Sequence, residues 1–376
     1  TFVQMHLLTS YPPSNLNRDD LGRPKTAVMG GVQRLRISSQ SLKRAWRTSE
    51  VFQTVLSGKV GTRTKCMGKA VFEALSSGRT LSDVLENRQP NKLLDKVKED
   101  RAKELARTIA AVFGELEVED NKDPLKGLQI KQLTHFNPDE ISAIESLVEN
   151  LRKRSDKPTE NELLLLRKNV TAADIALFGR MLASKPEYNV EAAAQVAHAI
   201  TVHKVAVEDD YFTAVDDLNR GEEDMGAGHI GETEFAAGLF YLYICVDRDL
   251  LLENLKRDES LTKKALCALA ECASSVAPTG KQNSFASRAY ASYALAEKGT
   301  QQPRSLSVAF LKPVTGPDML LTAIEALENT KANMDKVYGR LSDVYSCKFN
   351  VVNGEGTLKD VLEFVSKPLC QERGQQ

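Results

Sequence analysis

The residues most suited to chemistry lie between Gly30 and Arg47, where a glycine pair, a basic strand and the basic start of a helix follow one another. Strand alternation from Val32 to Ser38 sets Arg34, Arg36 and Ser38 on one face and Gln33, Leu35 and Ile37 on the other. Two guanidinium groups then point the same way. Ser38 or Ser39 is placed to cap the following helix, because a serine hydroxyl accepts from an amide two or three residues on. At 100° per residue Leu42, Ala45, Trp46 and Phe52 share one helix face, with Lys43, Arg44 and Arg47 opposite. Unpaired first-turn amides and the positive end of the helix dipole add attraction for an anion. The chemistry implied is phosphate binding. A lone basic cluster of this size is more often a solvated helix face, but here the charge is concentrated. Residues 1–54 carry eight Lys and Arg against three Asp and Glu, a net +5 in a chain whose total is -1.

Other chemistry is weakly represented. Asp19-Asp20 has the composition of a divalent-ion site or a general base, yet Asn-Arg-Asp-Asp is far more often a turn capped by its own side chains. His198 and His203 are an odd number apart in a strand reading, so they face opposite ways and cannot share a metal. The chain has no P-loop, no Gly-x-Ser-x-Gly elbow and no His-Glu-x-x-His. Six cysteines at 66, 245, 267, 272, 347 and 370 show no metal spacing and read as free, mostly packed thiols. No catalytic residue, metal or cofactor is expected.

The positioning elements follow from periodicity. A chain of 376 residues with 42% apolar content can bury a substantial core. Residues 2–9 read as a strand and 10–29 as a loop, followed by the glycine hairpin and basic helix. From about 55 to 185 the spacing is helical, with one start at Asn137-Pro138-Asp139 and another at a Thr171–Asp174 capping box leading a helix through Met181 and Leu182. Strand alternation returns at 196–207. Residues 205–233 then carry nine acidic residues against Arg220 alone, a net -8, with Gly221, Gly226, Gly228 and Gly231 suggesting an irregular, mobile arm. A buried strand is expected at 235–246, a helix at 250–273, a strand at 284–296 and a helix at 318–337. The longest uncharged apolar run, 235–246, is too short to span a bilayer, and the first residues lack the features of a signal peptide, so a cytoplasmic location is expected. The order of elements implies an α+β sheet domain interrupted by helices.

Two blocks carry a resemblance. Ser14-Asn15-Leu16-Asn17-Arg18-Asp19-Asp20 continues to Gly30-Gly31 and Arg36–Arg44, and Ala197-His198-Ala199-Ile200-Thr201 continues to Phe212–Leu218; Gly179-Arg180-Met181, Thr233–Tyr241 and Gly280-Lys281-Gln282 are weaker matches. In these the chain resembles the backbone subunit of the CRISPR Cascade surveillance complex, the type I-E CasC family. The resemblance implies an RRM-like, ferredoxin-like palm at 1–54 and 186–376, helical fingers at 55–185 and an extended thumb loop at 205–233. It implies a non-catalytic scaffold whose copies stack along the CRISPR RNA and present the guide for pairing with target DNA. Neighbouring copies of itself and the other Cascade subunits, the large CasA, the small CasB, CasD and CasE, would be its partners.

The RNA contacts implied by the resemblance are Arg18, Lys25, Ser38, Gln40, Lys43, Arg44 and Arg47 on the palm, with Lys281 and Gln282. Met181 and Phe212 would be apolar wedges between bases, with Thr213 beside Phe212. Spacing alone fits Met181 equally to burial beside Phe178 and Leu182. Basic residues and helix-start amides neutralise phosphate without reading sequence, as a protein that must accept any guide requires. Two other functions compete. Related backbone subunits of type III complexes cut RNA with an aspartate and a metal ion, and Asp19 or Asp20 is the candidate residue here. The basic face also suits an adaptor for an acidic protein.

Overall fold

The computed structural model describes residues 1–214, 229–339 and 345–369. In chain order the elements are β1 (Phe2–Ser14), β2 (Thr26–Met29), β3 (Val32–Ile37), α1 (Ser39–Arg47), α2 (Glu50–Val55), β4 (Thr62–Thr64), α3 (Met67–Ser77), α4 (Leu81–Leu85), α5 (Glu99–Ala111), β5 (Thr134–Phe136), α6 (Pro138–Arg152) and α7 (Ala173–Phe178). They continue with β6 (Ala194–Val196), β7 (Ala199–Thr201), β8 (Glu208–Ala214), β9 (His229–Asp247), α8 (Arg248–Asn254), α9 (Glu259–Ser275), α10 (Gln282–Phe285), β10 (Ala291–Gly299), α11 (Met319–Val337), β11 (Tyr345–Asn350) and α12 (Leu358–Ser366). The chain divides into two compact units, one of residues 1–55, 194–249 and 266–376, the other of 56–193 and 250–265.

The first unit is built on an antiparallel sheet in the order β11-β10-β1-β9-β7-β3-β2. With α1 between β1 and β7 and α9 between β9 and β10, the inner strands β10-β1-β9-β7 have the 4-1-3-2 order of a βαββαβ ferredoxin-like fold. The fold is thus α+β with an RRM-like core. Central β1 is buried on both faces along most of its length, including Val3, Leu7 and Leu8. It runs to Ser14, beyond the expected end at residue 9. Pro12-Pro13 does not stop it but shifts its register on β9 between Tyr11 and Ser14, since two residues without amide hydrogens cannot donate to a ladder. Gly30 and Gly31 both have positive φ, as the two-residue turn joining β2 to β3 requires, and a Cβ on Gly30 would lie 1.7 Å from the Leu311 carbonyl oxygen.

Four expectations need correction here. The 196–207 strand is two short strands, β6 and β7, interrupted at Ala197-His198. The helix expected at 250–273 is broken into α8 and α9, with Lys256 and Arg257 in the left-handed region. The strand expected from 284 begins at Ala291, because 282–285 forms the short helix α10. The acidic arm is not irregular where it is described. β8 pairs with β9 without a break from Glu208↔Phe235 to Ala214↔His229, making a two-stranded ribbon. Glu208, Asp209 and Asp210 are consecutive and exposed on the two faces of the ribbon, while Tyr211, Phe212 and Thr213 supply strand-forming residues. The remaining acidic residues from Asp216 to Asp224 lie outside the described residues.

The second unit is largely helical. Its core joins Val71 and Leu75 of α3, Leu105 and Ile109 of α5, Ile144 and Val148 of α6, and Phe113 against Phe136. α6 starts as expected at Asn137-Pro138, where Glu140 accepts from the Asn137 amide at 2.9 Å. The Thr171–Asp174 capping box does not form. Asp174 is buried and accepts instead from the Gly61 amide and bonds His135, both at 2.8 Å, and α7 ends at Phe178, short of Met181. No helix among the described residues is long and apolar enough to cross a membrane.

Candidate nucleic-acid interface

The basic face is assembled by one loop, 15–25, and the start of α1. Ser38 is the N-cap, its hydroxyl accepting from the Ser41 amide at 3.3 Å, and its own amide donates to Asn17 Oδ1 at 2.8 Å. Asn17 thus ties the loop to the helix start, and backbone bonds from Lys25 to Asn17 and from Arg36 to Lys25, both 2.8 Å, close the loop against β3. Asn15, fully buried, donates from Nδ2 to the carbonyls of Gly22 and Glu234 at 3.0 and 2.9 Å. Gly280 packs so tightly on this loop that a Cβ would meet the Leu16 oxygen at 2.2 Å, and Lys281 bonds Thr233 at the base of the ribbon. Arg18, Lys25, Ser38, Gln40, Lys43, Arg44, Arg47, Lys281 and Gln282 therefore all sit in the first unit, on segments joined to one another. The organisers Asn15 and Asn17 were not predicted. Their type was the only local signal.

The side chains on that face differ in how they are held. On α1, Leu42, Ala45 and Trp46 are buried, Arg44 is exposed, and Lys43 and Arg47 are partly covered. Burial pushes the Lys43 ammonium below its usual range. Arg18 and Gln40 are exposed, and Lys25 is half-buried. Ser38 is buried and commits its hydroxyl to the cap. Arg23 faces Asp19 and Glu234 at 3.8 and 4.0 Å. Asp19 Oδ1 accepts from the amides of Leu21 and Arg23, both at 2.9 Å, which is the side-chain capping expected of the loop. Among the described residues no group of three or more His, Cys, Asp or Glu is arranged to hold a metal.

The paired-arginine expectation fails. Arg34 is fully buried, with Nη2 donating to the Phe310 carbonyl at 2.8 Å, Nη1 to Thr201 at 3.0 Å and Nε to Met29 at 3.3 Å. The turn at 307–310 covers the strand face at Arg34, so this guanidinium binds backbone. Arg36 stays partly exposed and donates to His198 Nδ1 at 2.7 Å. That bond requires a neutral ring, and burial with Arg36 and Lys25 nearby pushes the His198 pKa down. His198 thus belongs to the basic face, a role its position beside a short strand did not reveal. His203 instead accepts from the Leu239 amide at 3.1 Å.

The two apolar candidates are both exposed. Phe212, on β8, is 43% exposed, and Tyr211 and Thr213 beside it are also exposed. Met181, in the second unit, is 66% exposed, which removes the alternative of burial beside Phe178 and Leu182. Its neighbour Arg180 is buried, with Nη1 2.9 Å from both oxygens of Glu140, and anchors the segment from which Met181 projects.

A family model described as CT1975-like protein matches residues 3–361. Among solved structures, a chain of a CRISPR RNA-guided surveillance complex, pre-nicking, is similar at 29% identity and a TM-score of 0.79, over 97% of this chain and 100% of that one. A chain of another CRISPR RNA-guided surveillance complex is similar at 27% identity and a TM-score of 0.58, over 95% of this chain and 92% of that one. No curated protein matches.

Proposed function

The chain belongs to the CT1975-like protein family, and from that premise we propose that it is a non-catalytic scaffold that binds CRISPR RNA as a backbone subunit of a Cascade-type antiviral ribonucleoprotein. The full-length likeness to a chain of an RNA-guided surveillance complex carries this reading. The face around Asn17 and α1 supplies the chemistry. Its cations and helix-start amides suit phosphates, which position a strand without reading it. Phe212 and Met181 offer apolar surfaces on which any base can stack. Copies of the chain would line up along the guide, the ribbon of each reaching its neighbour, and the bases between contacts would be left to pair with target DNA. CasA, CasB, CasD and CasE would complete the assembly. Asp19, whose Oδ1 already serves two amides, acts in this reading as a loop organiser and not as a metal ligand.

The test is a titration of the full chain with long single-stranded RNA of two unrelated sequences, followed by electron microscopy. Cooperative binding of both RNAs, with regular filaments, is expected. Binding confined to one sequence, or none at low salt, refutes the scaffold.

A further inference from the structure

We propose that Gly231 is a positioning residue: it is the seat that holds the Phe212 ring in the orientation in which it stacks on an RNA base. The inference rests on the reading of Phe212 as a wedge. In the ribbon Phe212 lies directly across from Gly231. The ring folds over the glycine so closely that a Cβ there would stand 2.3 Å from Cζ, 2.7 Å from Cε1 and 2.9 Å from Cε2. Nothing else in the backbone calls for glycine at this position. Gly231 lies outside the left-handed region, so any L residue could adopt its conformation, and a glycine inside a strand weakens it. What the missing side chain provides is room for the ring.

The consequence is a pre-set stacking surface. Phe212 remains 43% exposed while its edge is braced against the opposite strand. A ring already confined to one orientation loses less rotamer freedom when a base arrives, so more of the stacking energy appears as affinity. Tyr211 pairs across the ribbon with Glu232 and Thr213 with Ile230, so neither has a glycine to fold over.

The experiment compares Gly231→Ala, Phe212→Ala and the double variant in the full chain, using single-stranded RNA with 2-aminopurine at successive positions. Phe212→Ala should lose roughly 5- to 150-fold in affinity, from the usual range for one base stacked on an aromatic ring, together with the fluorescence change at the wedged position. Gly231→Ala should lose about 5- to 10-fold and the same fluorescence change. The double variant should be no worse than Phe212→Ala, because the three atoms nearest the added methyl all belong to the ring that Phe212→Ala removes. Gly231→Ala that matches wild type while Phe212→Ala is impaired overturns the seat alone. So does Gly231→Ala that weakens binding further in the Phe212→Ala background, since that marks a role in the ribbon itself. Phe212→Ala with unchanged affinity and signal refutes the wedge, and the seat with it.

Discussion

Replacing Arg34 should damage the fold and spare RNA binding, the reverse of what its basic neighbourhood suggests. In Arg34→Met the stem volume is largely kept, but the carbonyls of Phe310 and Thr201 lose charge-assisted partners at 2.8 and 3.0 Å and that of Met29 loses a weaker one at 3.3 Å. Each good bond to a charged group contributes about 1.5–3 kcal/mol, and the Met side chain recovers roughly 1 kcal/mol of apolar burial. The net loss is about 2–5 kcal/mol. With a urea slope of roughly 3 kcal/mol/M, the unfolding midpoint drops by about 1 M. Arg36→Met, whose partner is an exposed histidine, should cost under about 1 kcal/mol. RNA binding reverses the ranking. Arg36→Met should flatten the dependence of log affinity on log salt by roughly 0.7, the value for one phosphate on a single strand, and Arg34→Met should leave it unchanged in the folded protein. An Arg34→Met protein with a wild-type midpoint and a flattened salt slope would refute the assignment of this guanidinium to the backbone.

Replacing Lys43, Arg44 and Arg47 together by Ala should flatten the salt slope by about 2, with the fold retained by Leu42, Ala45 and Trp46; an unchanged slope in the folded variant removes α1 from the interface. Asp19→Ala should cost about 1 kcal/mol through the two uncapped amides, read by urea unfolding, and neither it nor Asp20→Ala should alter RNA integrity with magnesium; metal-dependent cleavage in the wild type that either variant abolishes would establish the ribonuclease instead. Acid should destabilise the first unit in two stages. Burial pushes the His6 pKa down, and the Glu297 carboxyl, although burial works to raise it, is held at about 2 by His6, Arg304 and Lys331. Both folded values lie below their unfolded ones, so both contributions are complete at neutral pH; His6's is lost below about 6.5 and Glu297's from about 4.3 downward. A urea midpoint equal at pH 8 and pH 3.5 contradicts this.

What the sequence revealed was what neighbours along the chain decide. The Gly30-Gly31 hairpin, the Ser38 cap, the buried side of α1 with Trp46, and α11 from residue 319 were all legible, because a turn, a cap and a helical stripe depend on residues within a few positions of one another. The Thr171–Asp174 box failed because tertiary partners outbid it: His135, 39 residues away, and Gly61, 113 away, take the carboxylate. The described part of the acidic arm departs from the expected loop for a related reason. Its charge and glycines argue for a loop, but Glu208, Asp209 and Asp210 stay exposed on a paired strand, and Gly231 has an aromatic ring above it.

The same limit separates Arg34 from Arg36, two residues apart on one strand face. A guanidinium is competent to meet a phosphate wherever it stands, and nothing local tells the two apart. The difference is made by carbonyls at Thr201 and Phe310, 167 and 276 positions further on, which reach Arg34 and stop short of Arg36. Asn15 and Asn17 show the converse. Two neutral loop residues hold the basic face together because one reaches Glu234, 219 positions away, and the other holds the amide at the head of α1. Charge along the chain therefore marks where an anion can be bound, while the long-range hydrogen bonds decide which cations are left to bind it.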